Sequence, residues 1–98
     1  MRLTFSGELW YWRGPAPFHF VTVPAEECAE IAAVAPLVTY GWGMVPVVIT
    51  IGASTATTPL WPKDGGYIVP LKKTLRDAEG LDVGDTVDVA LEIAVSAG

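Results

Sequence analysis

The chain has little cysteine, little histidine, little charge and no long apolar run. A single cysteine, Cys28, cannot close an internal disulfide, so a stapled secreted mini-protein is excluded. The single histidine, His19, has no second ligand at metal-binding spacing, so neither a metal nor a cofactor is expected. Charged residues make up 17% of the chain, and 6 Lys+Arg stand against 11 Asp+Glu for a net charge of −5. With no basic block, such a chain repels a phosphate backbone, and no nucleic-acid partner is expected. The most apolar stretch, Met44 to Ala53, is interrupted by Pro46, Thr50 and Gly52. It falls far short of the ~20 residues a bilayer requires. Thr4, Ser6 and Glu8 break any apolar signal segment near Arg2. No membrane partner is expected, and the cytoplasm is the default compartment.

What the chain does have is apolar mass. Of its 98 residues 51% are hydrophobic, with 10 Gly, 8 Pro and 4 Trp, and the mean hydropathy is +0.41. Disordered chains show the reverse balance. The length suits one domain, taken as residues 1–95 with a short Ser-Ala-Gly tail at 96–98. A domain of this size buries about two-thirds of its unfolded surface. The apolar excess means that both faces of a sheet are covered, or that a patch is left for a partner or ligand.

Periodicity gives the elements. Leu3, Phe5, Leu9 and Tyr11 alternate with polar residues and with Trp10, which predicts a long strand. Gly7 within it predicts a bulge or sharp bend. Arg13-Gly14-Pro15 reads as a turn, and Pro17 to Val23 as a second, paired strand. Pro24, Glu26 and Glu27 open an alanine-rich helix that Pro36 should end. Val45, Val47, Ile49 and Ile51 share one face of a strand, and Pro46 predicts a free edge or a bulge there. Ser54 to Leu60 returns antiparallel, Trp61 to Gly66 reads as a turn, and Tyr67 to Val69 as a strand. Pro70 should open a second helix, with Leu71, Leu75 and Ala78 on one face and Gly80 just past its end. Val87, Val89, Leu91 and Ile93 complete a last strand. The expected fold is all-β: a small closed six- to seven-stranded barrel with two short helices.

Three blocks carry a family resemblance. The first is Phe5-x-Gly7-x-Leu9 with Trp12 and Gly14, then Phe20-Val21-Thr22-Val23-Pro24. The second is Gly41-Trp42-Gly43-x-Val45-Pro46-Val47 with Ile51-Gly52. The third runs from Thr57-Thr58 through Pro62, Gly66-Tyr67, Pro70, Lys72-Lys73 and Arg76 to Gly80-Leu81 and Gly84-Asp85. In this order they resemble an uncharacterised bacterial domain-of-unknown-function family of small β-barrels, also found fused to OmpD-associated bacteriocin-protection domains. The resemblance implies a closed barrel and no established catalytic residues. The segment Thr57-Thr58-Pro59-Leu60-Trp61-Pro62 departs from the family pattern by its extra Pro59. The Gly80-Leu81…Gly84-Asp85 block also looks like the turn of cradle-loop barrels, which include AbrB-type regulators. There the Asp accepts backbone N–H bonds, so Asp85 is read as structural.

Candidate chemistry is confined to a few positions. Lys72 and Lys73 stand at the start of the second expected helix, and Arg76 shares a face with Lys72, a pattern that can hold a carboxylate or phosphate. The competing reading is a solvated basic face balanced by Asp77 and Glu79. Trp42, Trp61 and Tyr67 could line a barrel mouth. Trp10 and Trp12 should point outward and be covered by a helix, a second subunit or a ligand. His19 could act as a general base only with a carboxylate such as Glu8. Cys28 reads as a small buried hydrophobe. The leading reading is a binding module for a small molecule or peptide with an anionic group, as monomer or homodimer. The alternatives are a lyase- or cyclase-like barrel enzyme using His19 or Tyr67, and an AbrB-like DNA binder, which the net charge disfavours.

Overall fold

A computed structural model describes residues 1–14 and 18–94 of the chain. Eight elements follow in order: β1 (Arg2–Trp12), β2 (Phe18–Thr22), α1 (Ala25–Val38), β3 (Val45–Ile51), β4 (Ser54–Lys63), β5 (Gly66–Pro70), α2 (Lys73–Glu79) and β6 (Thr86–Glu92). The six strands close into a barrel in the order β1-β2-β5-β4-β3-β6. Every neighbouring pair is antiparallel. Pro15 of the expected first turn, Pro17 and the 96–98 tail lie outside the described residues. Among the described residues no helix is long and apolar enough to cross a membrane.

The period-two faces fill the barrel. Leu3, Phe5 and Leu9 of β1, Val45, Val47, Ile49 and Ile51 of β3, and Val87, Val89 and Leu91 of β6 form one core with Val21, Leu60 and Val69. Ile31 and Ala35 of α1 and Leu75 of α2 join it. Register places Leu91 opposite Leu3 on one side and Ile49 on the other. Gly7 makes no bulge, since β1 and β6 pair one-to-one from Arg2↔Glu92 to Glu8↔Thr86. Glycine stands where β1 begins to leave β6 for β2, and a Cβ there would lie 2.7 Å from Val21 Cγ1.

The prolines determine where the ladders stop. Pro46 faces Pro59 across β3 and β4. Neither residue has an N–H, so this pair is of the non-bonded type. The missing N–H of Pro46 therefore points toward β6, whose pairing with β3 ends at Val48↔Glu92. The edge expected at Pro46 is present. On the other side of β4, Pro62 faces Tyr67, so that pair is also non-bonded, and Trp61↔Ile68 is a bonded one. Continuing the same register, the next bonded pair would be Pro59 with Pro70. Both donors are missing, and the β4–β5 ladder ends at Trp61↔Ile68. Across the gap the Thr58 hydroxyl donates to the Pro70 carbonyl at 3.4 Å.

The helices differ from expectation at their ends. Pro24 is the residue before α1 rather than its first. Pro36 does not end α1, which runs on to Val38. The proline sits in the last turn, where its missing N–H removes one hydrogen bond, and the Thr39 N–H still reaches the Ala35 carbonyl at 2.8 Å. Pro70 closes β5 instead of opening a helix, and α2 begins at Lys73 with Lys72 before it. Leu71 is thus a buried connector, and Ala78 is exposed. Gly80 ends α2 in the left-handed conformation, at φ 62°. Asp85 has the expected structural role, since its carboxylate accepts the Asp82 N–H at 2.8 Å.

Leu91 is fully buried between two strands, so Leu91→Ala is expected to cost about 2–5 kcal/mol. Val48, on the outer face of β3 and 41% exposed, should cost no more than about 0.5 kcal/mol when changed to Ala. Urea unfolding of the two variants checks the assignment of inner and outer faces.

Candidate functional site

The outside of the barrel carries a second apolar layer. Val21 points into the core, so its neighbour Phe20 points outward, yet Phe20 is completely buried. Its ring lies 5.2 Å from Trp10, 6.3 Å from Trp12, 6.0 Å from Phe18 and 5.2 Å from Trp61. Trp10 donates its indole N–H to Thr22 Oγ1 at 2.9 Å. Trp10 and Trp12 do face outward, as their alternation predicts. Phe20 anchors them, while Trp12 remains 44% exposed. Phe18 stands against Trp61 in an edge arrangement at 5.1 Å.

Beside this layer, where β4 and β5 part, a cleft of about 350 Å³ opens. Phe18, Trp61, Pro59 and Pro70 form its apolar wall, and His19, Lys72, Lys73 and Arg76 border it. The structure therefore brings four of the expected site residues together: Trp61, Lys72, Lys73 and Arg76. Trp61 arrives from strand β4, not from a turn, because β4 extends through Lys63 before the chain turns at Asp64 and Gly65. The sequence pattern does not single out Phe18. The available signal was its place one residue out of phase with His19 and in phase with Phe20, on the strand face that carries Trp10 and Trp12 across β1.

Two expected members lie elsewhere. Trp42 sits on the turn between Tyr40 and Met44 and is 96% exposed. The flanking Gly41 and Gly43 both have positive φ, which lifts the indole off the barrel. Tyr67 packs against the core and lines a different hollow of about 530 Å³, with Trp10 and Cys28. The only cation bordering that hollow is Lys63, and it is paired with Asp64 at 2.8 Å.

The three cations of the cleft are not equivalent. Lys73 is paired with Asp77 one turn on, both side chains being exposed, a contact worth about 0.3–0.5 kcal/mol. Arg76 is half-buried, and its Nε donates to the Leu71 carbonyl at 3.1 Å. This pins the guanidinium and leaves its Nη groups without a hydrogen-bond partner among the described residues. Lys72 caps the start of α2 with its backbone, and its ammonium has no ion-pair partner among the described residues.

His19 stands edge-on to Tyr11 at 4.9 Å, and its carbonyl accepts the Leu71 N–H at 2.9 Å. Desolvation, and after it the charge of Arg76, holds its pKa below the ordinary 6.5. Glu8 does not serve as its carboxylate, because Glu8 faces Thr86 on β6 whereas His19 faces Tyr11. Cys28 is half-buried against the core, and its thiol donates to the Val23 carbonyl at 3.3 Å. Among the described residues no group of three His, Cys, Asp or Glu could hold a metal ion.

Because His19 takes up its proton less readily when folded, it costs nothing above pH 6.5 and destabilises the fold progressively as pH falls below that value. Arg76→Gln should raise its titration midpoint, though not all the way to 6.5, since desolvation is the larger cause. Following the imidazole carbon-bound protons by NMR against pH tests this, and an unchanged midpoint would remove Arg76 as a cause. No curated protein matches the chain. The family model described as a domain of unknown function, DUF1905, matches residues 5–91, and the chain belongs to that family.

Proposed function

We propose that the protein is a non-enzymatic binding module whose cleft between β4, β5 and α2 takes a small organic anion. One observation carries this reading. The chain is acidic, with net charge −5 and six Lys and Arg in all, yet three of those six border one cleft whose other wall is aromatic. Small-molecule sites combine an apolar wall with a few converging polar groups, and this cleft has both. Lys72 and Lys73 are exposed, as on a solvated basic face. Arg76 differs, being half-buried and held by a backbone carbonyl.

The arrangement suits binding better than catalysis. A lyase- or cyclase-like reading would use His19 or Tyr67 for proton transfer, with polar groups converging on one point. Tyr67 lines a separate hollow, and His19 has no carboxylate beside it. The two larger hollows, each about 530 Å³, bring no group of cations together. The turn that resembles AbrB-type regulators, around Asp85, is closed on itself by the Asp82 N–H and lies apart from the cleft's cations.

Titration of the full chain with benzoate and with inorganic phosphate, followed by amide NMR, tests the reading. Millimolar anion should shift the resonances of Phe18, His19, Trp61 and Arg76. The double variant Lys72→Gln, Arg76→Gln should weaken binding by about tenfold or more, the equivalent of one lost charge-assisted hydrogen bond. A bound anion also stabilises the imidazolium, so affinity should rise as pH falls through the His19 midpoint. No shift at these positions with either anion would overturn the proposal.

A further inference from the structure

Trp61 Nε1 is the only buried side-chain nitrogen or oxygen without a hydrogen-bond partner among the described residues. An indole N–H can only donate, and leaving it unpaired away from water is costly. The indole that carries it is part of the wall of the cleft. Two rings stand edge-on to the indole: Phe20 at 5.2 Å and Phe18 at 5.1 Å. Phe20 is completely buried and fixed, whereas Phe18 is 37% exposed at the rim. Phe18 is the ring that can give way.

The cations narrow the choice of anion. Asp77 holds Lys73 and adds a negative charge at the edge of the cluster. That charge opposes a dianion more strongly than a monoanion. The Nε of Arg76 is engaged, which leaves the Nη groups to meet a planar, two-oxygen acceptor. A cleft of about 350 Å³ is at the small end for ligand sites.

Resting on the reading of the cleft as an anion site, we propose that its ligand is an aromatic monocarboxylate. The aryl group displaces the Phe18 edge and packs against Trp61. The carboxylate meets the Arg76 Nη groups, and a ligand oxygen accepts the Trp61 indole N–H. No bond is made or broken, and recognition comes from ring stacking, charge and one orphan donor satisfied together.

Four probes separate the parts of this proposal: 2-naphthoate, cyclohexanecarboxylate, phenyl phosphate and the neutral 2-naphthamide. Binding to the full chain is followed by the indole N–H resonances, with Trp61 assigned through Trp61→Phe. The expected order puts 2-naphthoate tightest, by about fivefold over cyclohexanecarboxylate, as one aromatic pair allows. The Trp61 indole proton should move downfield with it, and Arg76→Gln should lower its affinity about tenfold. Equal or tighter binding of phenyl phosphate, cyclohexanecarboxylate or 2-naphthamide overturns the ligand class, as does an unmoved Trp61 indole resonance. Those results leave the anion site standing where an anionic probe still shifts His19 and Arg76. If no probe shifts any cleft resonance, the anion-site reading fails and takes this proposal with it.

Discussion

Proline carries no backbone N–H, and the barrel places that absence on two facing strands. Pro59 of β4 and Pro70 of β5 fall in register at the position where the next mutual pair of hydrogen bonds would form. With neither donor present, the strands part. Thr58 spans the gap with a long side-chain bond, the Leu71 N–H turns to His19 of β2, and α2 packs below with Leu75 in the core. The cleft, the approach of Arg76 to His19 and the exposure of the Phe18–Trp61 edge all follow from that interrupted ladder. A valine pair at these positions could extend the ladder and close the wall over the cleft.

The apolar excess of the composition has two destinations. The aliphatic residues of β1, β3 and β6 fill the barrel as one core. Phe5 joins them, whereas Trp10, Trp12, Phe18 and Trp61 gather on the outer surface around Phe20. A barrel of six strands has little interior room for large rings, since its inward positions already hold mostly branched aliphatics. Placing rings on the outside makes a rigid platform at low entropic cost, because each ring has few rotatable bonds. The rings bury Phe20 but leave Trp12 and Phe18 partly exposed, while α1 contributes Ile31 and Ala35 to the barrel core.

Alternation made most of the barrel legible in the sequence. Leu3, Phe5 and Leu9, the valines and isoleucines of β3, and Val87 to Leu91 all face inward as period two requires. Punctuation by proline was less legible, because one residue type has several structural uses. Pro36 lies within the last turn of α1, where one lost bond is tolerated, and Pro70 ends a strand although it could equally have begun a helix. The site was readable to the extent that it is local: Lys72, Lys73 and Arg76 share one short segment. Trp61 reaches them only through the β4–β5 register, and Phe18 only through its place beside Phe20. Trp42 and Tyr67 share the aromatic character of the site but not its position, and spacing along one sequence does not resolve that difference. Trp42 is carried outward by two left-handed glycines, and Tyr67 faces the opposite side of β5 from Ile68, the partner of Trp61.

Charge gives the cleft its direction. In a chain with five excess negative charges, water-exposed lysines tend to pair with nearby carboxylates, as Lys63 does with Asp64 and Lys73 with Asp77. Such pairs are weak and consume little free energy. Arg76 departs from this pattern. It is drawn partly out of water, its Nε held by a carbonyl that offsets only part of the lost hydration. The neighbouring imidazole registers the result, since the charge of Arg76 contributes to keeping His19 neutral. Desolvation is the larger cause of that neutrality and the charge of Arg76 the smaller, while the one carboxylate at the cluster, Asp77, is taken up by Lys73. An anion that enters relieves Arg76 and His19 together. On the binding reading proposed above, that shared relief would favour this cleft over the larger hollows, where the single bordering lysine already has its carboxylate.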